Sequence, residues 1–347
     1  MFLKTFRWSF AITIAALIVA YMFGGLDAAL IVGMLVIIEI VLSFDNAILN
    51  TKILKGINSA FWTKMFLTVG ILIAVVGVRF LLPVILVSGT TGIDPLSIMN
   101  LAFQNGDPHT PGTYGYYVLA SHPQLAAIAG VFLLMLFLNW LVGEKDHSWI
   151  SPLETPFEKL EHIAALPTII TLAALLTFAS LNPEHTATIL FSGIIGLLAS
   201  LGIDSLSGLF GDDAGGKVKT GFAGFLYLEG VDASFSFDSL GGGLAVTSSI
   251  VLLMLGLGVG AIYVRSLTVY LMNAGTLSNY RHLESGAMWA IGALSIMLFI
   301  SIGTVIPEVV TGAIGVGFVA AAVITSVIAN KRDAKNGIEL ETVTADA

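Results

Sequence analysis

The chain has 347 residues, of which 56% are hydrophobic and 11% charged, against about 25% charged in ordinary soluble domains. A water-soluble core of this length could not bury so much apolar surface, and a net charge of −8 with few Lys and Arg excludes a nucleic-acid-binding protein. With no cysteine at all, disulfides, thiolate metal sites and cysteine redox chemistry are excluded as well.

A membrane-crossing helix needs about 20 mainly apolar residues. Ten such stretches follow one another, over 8–25, 28–49, 62–88, 123–143, 163–181, 186–203, 220–241, 244–271, 286–303 and 306–330. The first begins after Lys4 and Arg7 and is followed by no small-residue cleavage site, so it reads as a retained helix rather than a signal peptide. The third and eighth are long enough to tilt or break. Between the third and fourth lies an outer segment, 90–122, rich in Gly, Pro, Asn and Thr, expected as a loop with a short interfacial helix. Residues 144–162 carry Glu144, Lys145, Asp146, Glu158, Lys159 and Glu161 and read as a solvated linker. The polar tail 331–347 is expected to be disordered.

The basic residues give the topology. Lys4, Arg7, Lys52, Lys55, Lys64, Lys145, Lys159, Lys217, Lys219, Arg281, Lys331, Arg332 and Lys335 all fall in loops or tails of one parity. The opposite loops hold no Lys or Arg. By the positive-inside rule both termini are cytoplasmic, with an even number of spans. Only Arg79 and Arg265 lie inside spans.

The second span contains Glu39-Ile-Val-Leu-Ser43-Phe-Asp45-Asn46, and the seventh Asp232-Ala-Ser-Phe-Ser236-Phe-Asp238-Ser239. Each is an acid, three residues, Ser-Phe-Asp, then Asn or Ser. In the predicted topology the two copies run in opposite directions, as in inverted-repeat transporters with a midplane site between repeats. The predicted fold is therefore an all-α polytopic bundle. It has an added N-terminal helix (1–27), one half over 28–143, a cytoplasmic loop (144–162) and a second half over 163–330. Helical spacing puts Glu39, Ser43 and Asn46 on one stripe and Asp232, Ser236 and Ser239 on its counterpart. Asp45 and Asp238 fall about 120° away in a straight helix, so either the helix unwinds there or they face other neighbours. Gly241-Gly242-Gly243 favours unwinding in the seventh span, and nothing comparable follows Asp45.

Buried acids in a membrane cost about 2.5–3.5 kcal/mol each on insertion scales, so each needs a partner. Arg79 and Arg265 can pair with two of them; Glu39, Asp45, Asp232 and Asp238, with Glu229 one turn before Asp232, outnumber these cations. The surplus calls for protons or a hard cation held by carboxylate, hydroxyl and amide oxygens, of the Mg²⁺, Ca²⁺ or Mn²⁺ type. All six His map to loops or span ends, against a Zn²⁺ or copper site. No Ser–His dyad or zinc motif points to an enzyme. The rival reading is a membrane scaffold whose acids serve only packing. Gly256, Gly258, Gly260, Gly312, Gly315 and Gly317 read as close helix contacts.

At these residues the chain resembles the TerC family of tellurium-resistance-linked integral membrane proteins. Glu39–Asn50, EIVLSFDNAILN, is similar to that family's first acidic motif; Phe237-Asp238-Ser239 resembles the second, and Tyr263–Leu267, YVRSL, the stretch after it. Ser236-Phe237 before Asp238, Gly241-Gly242 after it, the added first span and the 90–122 segment depart from the pattern, as in a divergent subfamily of unknown function. The resemblance implies export of a divalent cation, manganese above all, and a link to tellurium resistance. It implies an ion site of Glu39, Asp45, Asn46, Asp232, Asp238 and Ser239, with Ser43, Ser236, Glu229, Arg79 and Arg265 in support. The cation is cargo, not a permanent cofactor. The other partner is the lipid bilayer, with a bacterial inner membrane the expected location.

Overall fold

The computed structural model describes residues 2–335, apart from 58, 105, 108, 146, 211–220, 248, 275–279 and 305. The described residues are helical and loop only, with no strand. Seven helices among them are long and apolar enough to cross a membrane, which makes this a membrane protein.

The first helix, α1 (Phe2–Leu42), is two arms. Gly24 and Gly25 leave helical geometry, and Gly25 sits at φ 71°, where an L side chain is strained. The arms fold back on each other: a side chain at Gly33 would lie 3.8 Å from Leu17, and Ala16, Ala20, Ala28, Val32 and Val36 share one buried cluster. A continuous 41-residue rod is thus replaced by a helical hairpin, and both arms lie on α12 (Ile250–Asn273). After a break at Ser43 come α2 (Phe44–Gly56) and α3 (Ala60–Leu72), which runs on through a π-helical stretch, Ile73–Leu81, into α4 (Leu82–Thr91). The long third span therefore changes helix type part-way, and the change carries Arg79.

The 90–122 segment holds two short helices where one is expected. It forms α5 (Pro95–Ala102) and α6 (Tyr114–Ala120). Asp94 accepts from the amides of Leu96 (3.0 Å) and Ser97 (3.2 Å), and Thr113 from that of Tyr116 (3.2 Å). These side chains cap amides that the first turn leaves unpaired. Ile98, Tyr114 and Val118 bury against Phe80, Val84 and Ile250.

The centre of the bundle is α7 (His122–Val142), apolar on every face and buried along nearly its whole length. A helix of that kind belongs inside other helices. Against it pack α9 (Leu166–Leu181), α10 (Thr186–Phe210), α11 (Gly221–Val246) and α13 (Leu283–Ser301). Gly196 lets α10 meet the Ile128 backbone, and Ser295 donates to Gly130 O at 2.9 Å. The remaining long helices are α12 (Ile250–Asn273) and α14 (Glu308–Lys335). The last continues past Asn330, where the tail was expected to begin, and Asp333 on it pairs with Arg281. Residues 336–347, and Lys217 and Lys219, lie outside the described residues.

The 144–162 linker is not simply solvated. It contains α8 (Ser151–Glu158), whose Glu154 is fully buried. Its carboxylate accepts from Trp289 Nε1 on α13 (2.8 Å), Ser148 Oγ (2.9 Å) and the amides of Trp149 (2.9 Å) and Ile150 (3.1 Å). Burial works against the charged form, but these four donors outweigh it and hold the Glu154 pKa below the usual carboxylate range. A depressed pKa stabilises the fold above the unfolded-state value, and that stability is lost as pH falls through the folded value. Acidification should therefore release the linker from α13. Tryptophan fluorescence from Trp149 and Trp289 should show this below about pH 4 in the wild type, and already at neutral pH in Glu154→Gln.

Candidate functional site

The two acidic motifs meet. Glu39, at the end of the second arm of α1, is fully buried; its Oε1 pairs with Arg79 from the π-helical stretch and accepts from Ser43 Oγ at 3.2 Å. Asp232, on α11, pairs with Arg265 of α12 at 2.6 Å. It also accepts from Asn46 Nδ2 at 2.9 Å and Asn50 Nδ2 at 3.2 Å, so α2 is tied to α11 across 186 and 182 residues of sequence. Arg265 lies over the Phe66 ring, 3.4 Å from its centroid, and 3.8 Å from Glu229. Both Glu229 oxygens are buried without a hydrogen bond among the described residues. Each motif's first acid is thus matched by an arginine from the next long helix.

The helix break falls in the first motif, not the second. Ser43 separates α1 from α2, whereas α11 stays helical through Gly241-Gly242-Gly243. The expectation from the glycines is overturned for a physical reason. Without water, the cheapest partners for backbone groups are those of the same helix, so glycines alone do not unwind it. At Ser43-Phe-Asp45-Asn46, side chains compete instead: Asp45 Oδ1 accepts from the Asn46 amide at 3.0 Å. Asp45 faces away from the Glu39 side, as helical spacing already requires, and toward α14, where a side chain at Gly315 would lie 3.6 Å from Asp45 Oδ2.

There Asp45 lines a small cavity of about 20 Å³. Ser43 and Asp45 come from the first motif, Phe235 and Ser239 from the second, and Thr311 and Gly315 close it from α14. A volume of that size takes one water or one monatomic ion. The polar side chains among its lining residues are one carboxylate and three hydroxyls, beside the apolar Phe235, Ala290 and Leu294. Ser239 Oγ donates to Phe235 O at 3.2 Å and Ser236 Oγ to Asp232 O at 2.7 Å, so Ser236 serves its own helix. The side chain of Asp238 lies outside the described residues. Among the described residues no three His, Asp or Glu side chains converge as a metal-binding group.

The structure thus groups the predicted residues into two ion-paired clusters, Glu39–Arg79 and Asp232–Arg265–Glu229, flanking a cavity lined by Asp45, Ser43 and Ser239. Sequence reasoning missed Asn50 and Thr311. Asn50 could have been found by carrying the Glu39–Ser43–Asn46 stripe one turn further; Thr311 has no local signal. Gly260 is the close helix contact expected of it, since a side chain there would collide with Cβ and Cγ of Glu39, whereas Gly317, expected as another, would have a Cβ in open space.

Residues 44–333 match a family described as "Protein of unknown function (DUF475)". The chain belongs to the DUF475 family. The match begins at Phe44, so it takes in Asp45, Asn46, Arg79 and the whole second motif, but leaves the α1 hairpin outside. No curated protein and no solved structure matches the chain.

Proposed function

We propose that this DUF475 protein is an inverted-repeat transporter that exports a divalent metal cation, most readily Mn²⁺, rather than an enzyme, and that it is a distant relative of the TerC proteins. The observation that carries this reading is the ion-sized cavity that residues of the two acidic motifs, Asp45 and Ser43 with Ser239, line together. Counting both arms of α1, and adding α9 and the acid-bearing α11, brings the seven apolar helices to ten spans. The pairings Glu39–Arg79 and Asp232–Arg265 are what a duplicated half would give twice. Under this reading Asp45 and the hydroxyls of Ser43, Ser239 and Thr311 replace part of the cation's hydration shell, with Asp238 as a second carboxylate. The ion pairs fix the two motif helices on either side. Opening of the cavity to alternate faces follows from rocking one half on the other, in a bacterial inner membrane with both termini inside.

The scaffold reading draws on the same ion pairs, since Glu39 and Asp232 are neutralised by arginine without any metal. Binding separates the two. A ligand that binds only the folded state stabilises it by about 2.7 kcal/mol at a hundredfold excess over Kd. Purified protein should melt at higher temperature with Mn²⁺ than with Mg²⁺, Ca²⁺ or Zn²⁺. The increment should vanish in Asp45→Asn/Asp238→Asn. No shift with any of the four ions would favour the scaffold.

A further inference from the structure

We propose that the corner between α2 and α3 is a binding site for the headgroup of an anionic phospholipid. A groove of about 570 Å³ opens there. Lys55, in the last turn of α2, Ser59 and Thr63 around the start of α3, and Lys64 line its polar side. Leu67 and Met272 form part of its apolar wall.

Charge complementarity identifies the occupant. Three other basic side chains are already matched: Lys52 with Glu284, Lys145 with Glu158 and Arg281 with Asp333. Lys55 and Lys64 have no ion pair among the described residues, and both are exposed. Two ammonium groups and two hydroxyls are donors suited to phosphate oxygens. The volume is that of a ligand pocket rather than of a lone phosphate, and its apolar wall has no use for a free ion. The corner also stands at the start of a helix apolar enough to cross a membrane, Ala60–Leu81, and the end of such a span is where headgroups lie. Trp62 beside it packs on Phe222 and Phe225, an aromatic cluster of the kind found at membrane interfaces. A lipid seated here would brace the far end of the helix that carries Asp45, Asn46 and Asn50. The site stands whether or not the protein transports a cation.

The test uses the full chain in neutral detergent, with melting temperature read as phosphatidylglycerol, phosphatidylcholine or inorganic phosphate is added. Phosphatidylglycerol should raise the melting temperature and the other two should not. Each lysine near an anionic headgroup contributes about fivefold in affinity, so Lys55→Gln/Lys64→Gln should need about twenty-fivefold more phosphatidylglycerol for the same rise. That variant should melt normally without lipid, since both side chains are exposed. Lys4→Gln/Arg7→Gln, which removes the same charge elsewhere, should respond like the wild type. An equal response to phosphatidylcholine, or an undiminished response in the Lys55/Lys64 variant, would overturn the proposal. So would a rise with inorganic phosphate alone, which would assign the groove to a free anion.

Discussion

Asp232→Ala should destabilise the folded protein by about 3–5 kcal/mol, the cost of breaking a buried ion pair from one side. The single carboxylate serves three donors: Arg265 at 2.6 Å, Asn46 at 2.9 Å and Asn50 at 3.2 Å. Removing it orphans all three in a place where water does not replace them. Glu229, 3.8 Å from Arg265, is the replacement partner at hand among the described residues, and among these it makes no hydrogen bond of its own. Glu229→Ala alone should therefore cost little, and Glu229→Ala/Asp232→Ala more than the two singles together, because the fall-back is gone. Reversible denaturation in detergent measures all three. A loss below about 1 kcal/mol for Asp232→Ala would mean, on the same scale, that the ion pair does not hold α2, α11 and α12 together.

Gly260→Leu should be comparably severe, costing about 3 kcal/mol or more from overpacking and loss of the neighbouring pair combined. At Gly260 even a Cβ meets Glu39, the partner of Arg79 and Ser43. The second arm of α1 would have to leave α12, and with it the carboxylate that neutralises Arg79. Gly317→Ala is the matched control. A Cβ there would meet no other side chain or helix within 4 Å, so the change should be neutral or slightly stabilising through helix propensity. Equal melting of the two variants would contradict the seat assigned to Glu39.

How much of this was written in the sequence depends on the range of each interaction. The hydrophobic stretches predict every long helix, because a lipid solvent leaves the backbone little choice but to be helical. The duplicated acid-Ser-Phe-Asp pattern finds Glu39, Asp45, Asp232 and Ser239, since an acid inside an apolar run stands out by its cost. The gap between the first two stretches falls beside the chain reversal, although the part of Gly24 and Gly25 in making it shows only in the structure, where Gly25 has a positive φ. Other features are fixed by contacts far apart in the chain. Glu154 sits in an ordinary charged linker, and only Trp289, 135 residues away, shows that it is buried. Thr311 joins the cavity through the packing of α14, which no local pattern encodes. The break at Ser43 turns on which polar side chain captures which amide, a competition that composition leaves undecided.

The central claim is that the cavity shared by the two motifs carries a cation across the membrane. It is tested most directly by loading sealed vesicles containing the purified protein with Mn²⁺ and following its release, with Asp45→Asn vesicles beside them. Release well above that of protein-free vesicles, abolished by Asp45→Asn in a variant that still folds, is the predicted result. Release no faster than from empty vesicles, or equal in the wild type and Asp45→Asn, would contradict it and leave the ion pairs as a purely structural device.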